Sequence, residues 1–284
     1  MPDAGTIYIV STPIGNLEDI TLRAARILGE VDLIAAEDTR RTRILLDHLG
    51  LRTRMVSYHD ATEAQRTPEL LERVRDGASI ALVSDAGTPL VADPGYRLVK
   101  EAATAGLEVV PIPGPSAPLA LLAASGLATD RFCFLGFLPA KAGARREAIE
   151  AMRGRTETIL VFETARRLPA ALRELADILG ARPAVVGREL TKKHEEILRG
   201  DLVSLSAELG ARENLRGELV LAIGRGEPEV SPEDQLIEAS RRLRERLASG
   251  ESASRAARAV AEELGLSRRL VYEQAHLKTG SRER

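Results

Sequence analysis

The chain has 284 residues, enough for two compact domains and a small appendage, and its 44% apolar content supplies sizeable cores. A formal charge of -2 gives no global basic field, so any nucleic-acid contact must come from local patches. Aromatic residues make up 3% with no Trp, which excludes an extended base-stacking platform, and the single Cys133 excludes an internal disulfide framework. The N-terminal residues lack the basic and apolar regions of a signal peptide, so a soluble, cytoplasmic protein is expected.

In chain order, strand-like and helix-like runs alternate. Thr6–Val10 reads as a buried strand, Thr21–Gly29 as a short helix, Asp32–Ala36 as a strand and Arg40–Leu49 as a helix capped by Gly50. Strand Met55–Tyr58, a helix around Pro68–Arg75 and strand Ser79–Val83 follow, the last breaking abruptly into SDAGTPLVADPG (Ser84–Gly95). Helix Gly95–Ala105 stops at Gly106, and strand Glu108–Ile112 runs into PGPSA. Val109–Thr129 is long and uncharged, but Pro111, Pro113, Pro115 and Pro118 preclude a membrane span, leaving strand, loop and helix. This alternation predicts a mostly parallel sheet with helices on its faces. Ligands of such sheets sit where strands end and backbone lies bare, so the two breaks point to one ligand cradled by main-chain groups. No G-x-G-x-x-G follows a strand and no G-x-x-x-x-G-K-[ST] occurs, which disfavours a plain dinucleotide or P-loop site.

A second set of elements begins near Arg131. Strands are expected at Phe132–Phe137, Thr158–Phe162, Ala184–Arg188, Glu196–Leu202 and Glu218–Ile223, with helices Ala144–Met152 and Arg167–Leu179 separating the first three. The later strands adjoin with little helix between them, predicting antiparallel pairing and a mixed sheet. From Ser231 onward the character is helical: Ser231-Pro232-Glu233 reads as a helix start, and Ser252–Leu264, Gly265 and Ser267–Leu277 as helix, turn, helix. Eleven Lys/Arg against nine Asp/Glu make this segment only slightly basic, so a packing or dimerisation role stands beside nucleic-acid contact. The expected domains are residues 1–114, 115–228 and 229–284, with a ligand cleft at the Pro113–Ser116 break.

Six blocks occur in order: TPIGNLEDIT (Thr12–Thr21), AAEDTRRTR (Ala35–Arg43), SDAGTPLVADPG, PIPGPSA (Pro111–Ala117), FLGFLP (Phe134–Pro139) and RELTKKHEE (Arg188–Glu196). Together they resemble the bacterial 16S ribosomal RNA (cytidine-2'-O)-methyltransferases of the tetrapyrrole methylase superfamily, over about Thr6–Arg225. SDAGTP with PGPSA separates that branch from its porphyrin-methylating relatives. The resemblance implies two α/β lobes of the tetrapyrrole methylase type, with a parallel N-terminal and a mixed C-terminal sheet, plus a small C-terminal helical segment. It further implies S-adenosylmethionine bound between the lobes, a homodimer, and a cytidine ribose in the decoding region of 16S rRNA, on the 30S subunit, as target. Other substrates compatible with the fold are a tetrapyrrole ring carbon (precorrin or uroporphyrinogen) and a protein, as in diphthine synthase. A ribosome-assembly protein without catalysis is the non-enzymatic alternative.

Asp85, directly after a strand, offers a carboxylate to the cofactor's cationic groups, and Ala86, Gly87 and Thr88 offer small side chains and accessible amides; a capped strand-to-helix turn would use the same residues. Ser116 and Ala117 open a helix and present free amides to a ligand, or merely follow a Pro-rich hinge. The resemblance carries cofactor contact onto Ile14, Phe162, Glu163 and Glu189. Methylating a ribose hydroxyl needs a base to share its proton. Glu37 is the first candidate and Asp38 the second, although either would also cap the helix beginning near Thr39, and Asp93, Lys192 and His194 are rivals. Arg40, Arg41 and Arg43, then Lys141, Arg145 and Arg146, then Lys192 and Lys193, all follow strand ends and are expected to form a basic rim for RNA phosphates. The four His and one Cys show no metal-ligand spacing, so no metal is expected.

Overall fold

The computed structural model describes residues 4–226 and 232–271, in two compact units, Met1–Gly226 and Glu227–Arg284. In the first unit, β1 (Thr6–Val10), β2 (Leu33–Ala36), β3 (Met55–Ser57), β4 (Ile80–Val83) and β5 (Glu108–Ile112) form a sheet in the order β3-β2-β4-β1-β5. Every pairing is parallel, as the alternation predicted. Parallel neighbours need crossovers, supplied by α1 (Leu22–Glu30), α2 (Thr39–His48), α3 (Glu63–Arg75) and α4 (Tyr96–Thr104). β2 and β4 are buried at every position, the behaviour of a strand covered on both faces. On one face Ile34 and Val83 pack with Ala24 and Leu28 of α1; on the other Leu33 and Leu82 pack with Leu70, Val74 and Leu98. Each such aliphatic side chain stabilises the fold by about 1.5–3 kcal/mol. Because the strands run one way, Ser11, Glu37, Ser84 and Pro113, each the first residue after its strand, emerge at the same edge.

The second sheet follows α5 (Ala117–Ser125) and contains β6 (Phe132–Phe137), β7 (Thr158–Thr164), β8 (Pro183–Arg188), β9 (Glu196–Asp201) and β10 (Glu218–Ile223) in the order β6-β7-β10-β8-β9. Only β6–β7 is parallel, so the sheet is mixed. α6 (Ala142–Glu150), α7 (Leu168–Leu179) and α8 (Leu202–Gly210) cover it. α8 corrects the expectation of little helix among the later strands. Asp201 caps it in a reciprocal capping box with Ser204, and Leu202, Leu205 and Leu209 bury one face, so β9 ends one residue early. α3 likewise begins at Glu63, five residues before Pro68, where the helix was expected around Pro68–Arg75. α5 buries Leu121 and Leu122 against Leu160, Val185 and Val220 of the second sheet. Ile14, from the loop after β1, inserts into that cluster and ties the first sheet's loops to the second.

In the second unit, α9 (Pro232–Ala248) and α10 (Ala253–Leu264) pack through Ala239, Leu243, Ala256, Ala257 and Val260. Gly265 ends α10 in the left-handed conformation, the turn expected there. Ser231 lies outside the described residues, as does all of the expected final helix beyond Val271. No described helix is long and apolar enough to cross a membrane.

Candidate active site

The loops leaving β1, β2, β4 and β5 are knitted together by short polar contacts. Thr12 N–H donates to Gly87 O at 2.8 Å and Gly87 N–H to Thr12 O at 3.0 Å, an antiparallel bridge between the first and third loops. Gly87 has φ +80°, a backbone angle that favours glycine, while a Cβ there would meet Ile14 Cγ2 at 3.4 Å in ordinary van der Waals contact. The Ser11 hydroxyl donates to Thr88 Oγ1 at 3.2 Å, and the Thr88 hydroxyl donates to Pro115 O at 3.2 Å, which adds the PGPSA loop. The loop after β2 joins by a reciprocal pair: Asp85 N–H donates to Glu37 Oε2 (3.1 Å) and Asp38 N–H to Asp85 Oδ1 (2.9 Å). Arg41 Nε, from the first turn of α2, lies 3.4 Å from Asp85 Oδ2.

These loops border a cavity of about 290 Å³ whose opposite wall comes from the second sheet. Phe162, Glu163 and Thr164 of β7 stand in register with Val220, Leu219 and Glu218 of β10, and all six line it. Phe137 tilts against Phe162 with ring centroids 5.3 Å apart. Ser116 caps α5 with extended backbone and makes no side-chain cap bond, and Ser116, Ala117 and Pro118 at the start of that helix line the same space. Glu37, Asp85 and Asp93 bring three carboxylates to one end. Burial pushes the Glu37 carboxyl above its ordinary range, with the charges of Asp85 and Asp60 adding to it against the Asp85 N–H and Arg41. Asp93 is raised further, to about 6, first by burial and then by Glu37. It sits after Leu90 and Ala92, both left-handed at φ 71° and 68°, a strained turn that aims the loop inward.

The structure therefore gathers Ile14, Glu37, Arg41, Asp85, Ala86, Gly87, Thr88, Asp93, Ser116, Ala117, Phe162 and Glu163 around one space. Glu163 is buried; Oε1 accepts from Thr164 N–H at 2.7 Å, while Oε2 lies 3.1 Å from Arg167 without hydrogen-bond geometry. Glu189 stands beside the cavity as a brace: its Oε1 accepts from Glu218 N–H (2.8 Å) and Lys192 Nζ (3.0 Å). Asp38 takes the capping role. It accepts from Arg40 N–H at 2.8 Å and from the Arg40 guanidinium at 2.6 Å, and these bonds hold its carboxyl at about 2, a poor acceptor for a hydroxyl proton. Arg145 is a correction. It is 8% exposed and grips Glu174 across α6 and α7, turned inward and away from any rim. Lys192 is held by Glu189 and Glu218, which occupies it as a base. Arg40, Arg43, Lys141, Arg146, Lys193 and His194 do not line the cavity; Arg40 and Arg146 are 89% and 65% exposed. Val91, Ala92, Pro118, Phe137 and Leu190 lie inside or next to blocks the sequence had singled out. Gly217–Val220 carried no local signal, because only the antiparallel register of β10 on β7 brings them there.

Residues 6–206 match the family model of the tetrapyrrole (corrin/porphyrin) methylases. A ribosomal RNA small subunit methyltransferase I from Mesorhizobium japonicum is 46% identical over 94% of this chain and 90% of its own length. The protein of that name from Escherichia coli O157:H7 is 44% identical over 95% and 94%. The solved uroporphyrin-III C-methyltransferase from Thermus thermophilus, complexed with S-adenyl homocysteine, superposes with a TM-score of 0.54 at 20% identity, over 80% of this chain and 98% of that one, and shares the fold. The chain is thus a methyltransferase that belongs to the tetrapyrrole methylase family and, within it, to the ribosomal RNA small subunit methyltransferase I family.

Proposed function

We propose that the protein transfers a methyl group from S-adenosylmethionine to the 2'-hydroxyl of a cytidine in the decoding region of 16S rRNA, on the 30S subunit, as a cytoplasmic homodimer of two-lobed chains hinged near Gly114. The observation that carries this reading is the convergence of the SDAGT, PGPSA and Glu37 loops on one cavity; the class of substrate comes from the relatives' names. The residues present fit the cofactor. The bare backbone at Gly87 leaves a cradle that a Cβ would narrow, α5 offers free first-turn amides, Ile14, Phe162 and Leu190 offer an apolar wall, and Asp85 offers an anion. When bound, S-adenosylmethionine supplies a methyl group on an electron-poor sulfonium.

The chain's own residues do the rest. Asp85 attracts the cofactor's cationic groups while Arg41 and Asp38 N–H fix its carboxylate. Asp85 N–H likewise holds Glu37 through Oε2, and the Oε1 edge takes the proton of the ribose hydroxyl. A carboxyl raised by burial is better matched to that task than an exposed one. Arg40, Arg43, Lys141, Arg146 and Lys193 hold RNA phosphates around the opening.

The test is transfer of tritium from labelled S-adenosylmethionine to free 16S RNA and to 30S subunits from cells lacking this activity. Label on a cytidine ribose is expected, with subunits preferred. Glu37→Gln should bind S-adenosylmethionine normally in calorimetry yet slow single-turnover transfer by about a hundredfold or more. An unaltered rate removes Glu37 as the base. Absence of label with cofactor binding intact removes RNA as the substrate.

A further inference from the structure

Three of the chain's four phenylalanines, Phe134, Phe137 and Phe162, pack together beside the cavity. β6 is an edge strand, and its register on β7 shifts between Phe134, opposite Leu160, and Phe137, opposite Phe162. Residues three apart in a regular strand point to opposite faces. The extra residue in β6, with Gly136 at φ +68°, brings both rings to the same face. Phe134 meets Phe162 edge-on with centroids 4.9 Å apart, and Phe137 tilts against it from the other side of the bulge at 5.3 Å. The bulge thus turns Phe137 toward the cavity instead of into the core. Phe137 lines the cavity yet is 51% exposed, and Val91, 37% exposed, lines it from the loop after β4.

The residues after Phe137 are fastened to α7 at two points. Arg167, the N-cap of α7, donates through Nη2 to Leu138 O and, at 3.2 Å, to Pro139 O, and lies 3.1 Å from the buried Glu163 Oε2 of β7. Further on, Arg145 grips Glu174 of the same helix. Lys141 lies exposed between the two fastenings and Arg146 just beyond the second. A bare aromatic face beside fixed cations suits a nucleotide: the ring stacks on the base while the cations meet phosphate. Such stacking tolerates any base, because each has a π-face. We infer that Phe137 is the surface on which a nucleotide of the RNA substrate stacks, and that Arg167 is the positioning residue that sets it there through the Leu138 and Pro139 carbonyls. The inference rests on the proposed rRNA reaction and adds no base preference to it.

The experiment compares full-length wild type, Phe137→Ala, Arg167→Met, Arg167→Lys and the Phe137→Ala/Arg167→Met double variant. Labelled transfer to 16S RNA and to 30S subunits is read as kcat and KM, and S-adenosylmethionine affinity is measured by calorimetry. Phe137→Ala should raise the KM for RNA about tenfold, the order expected for one lost base stack, with kcat and cofactor affinity near wild type. Arg167→Met should raise KM in the same direction, and the double variant should be no worse than Phe137→Ala, because Arg167 acts through that ring. Arg167→Lys keeps a cation beside Glu163 and a donor for one carbonyl, so it should recover part of the KM. If Arg167→Met does not fold, Arg167→Lys, alone and with Phe137→Ala, closes the same cycle. An unchanged KM in Phe137→Ala overturns the inference and leaves the rRNA reaction standing. So do additive effects in the double variant, which make Arg167 a separate contributor, and lost cofactor affinity in Phe137→Ala, which puts the ring on the cofactor. A wild type that labels neither RNA nor subunits overturns the proposed reaction itself, and this inference with it.

Discussion

Glu37 and Asp38 are neighbours with opposite electrostatic fates, and geometry alone separates them. Asp38 faces Arg40 and the free amides of α2, and every one of those bonds favours its charged form. Glu37 turns toward Asp85 and the cavity, where burial disfavours its charge. Asp93 carries the larger penalty. Its carboxyl is raised from 3.8 to about 6, so the folded state binds protons more tightly than the unfolded chain, and ionised Asp93 opposes folding. That cost is absent below about pH 4, where both states are protonated, grows between there and about pH 6, and is full above. Asp93→Asn should therefore stabilise the protein by on the order of 1–2 kcal/mol at pH 7.5, allowing for partial solvent screening, and by almost nothing at pH 3.5. Denaturant unfolding at the two pH values checks this, and an equal effect at both would contradict it.

At the scale of an element, α6 shows how one step along a helix divides structure from surface. Arg145 lies inward, buried with Ile149, and chelates Glu174 of α7; Arg146, about 100° round the axis, is exposed and only reaches toward Glu150 at 3.8 Å. Glu174→Ala leaves the Arg145 guanidinium largely desolvated without its partner and should cost about 1–3 kcal/mol in urea unfolding. Arg146→Ala should stay within about 0.5 kcal/mol of wild type. Comparable losses from the two would mean that the α6–α7 pair does not hold those helices. The sequence had grouped both arginines as phosphate contacts, since a run of basic residues does not reveal which of them the helix turns inward.

For the whole molecule, the near-zero net charge means that attraction to RNA must come from where cations cluster. Lys141 caps the start of α6, Arg146 lies one turn into it, and both are exposed, so reversing both, Lys141→Glu with Arg146→Glu, should weaken rRNA binding roughly tenfold or more at low salt. It should also flatten the salt dependence by about one unit of log–log slope for each phosphate no longer neutralised. Filter binding between 50 and 200 mM salt, roughly the range over which such charges are screened, reads both quantities. Unchanged affinity and slope would place the RNA elsewhere. S-adenosylmethionine affinity should be unaffected, because neither residue lines the cavity.

By itself the sequence determined the parallel and mixed sheets, most helices, and the blocks that meet at the site. Those features are local: apolar runs such as LIAA and IALV, and turn chemistry such as SDAGTP and PGPSA, act over a few residues whatever surrounds them. α8 was missed because its apolar run reads equally as strand or helix until the Asp201 capping box is seen. Only the tertiary structure decided which groups face each other across the two sheets. The register of β10 on β7 brought Gly217–Val220 to the cavity, and Arg145 was claimed by Glu174. Register, side-chain burial and long-range polar pairing depend on residues far apart in the chain, and no local pattern encodes them.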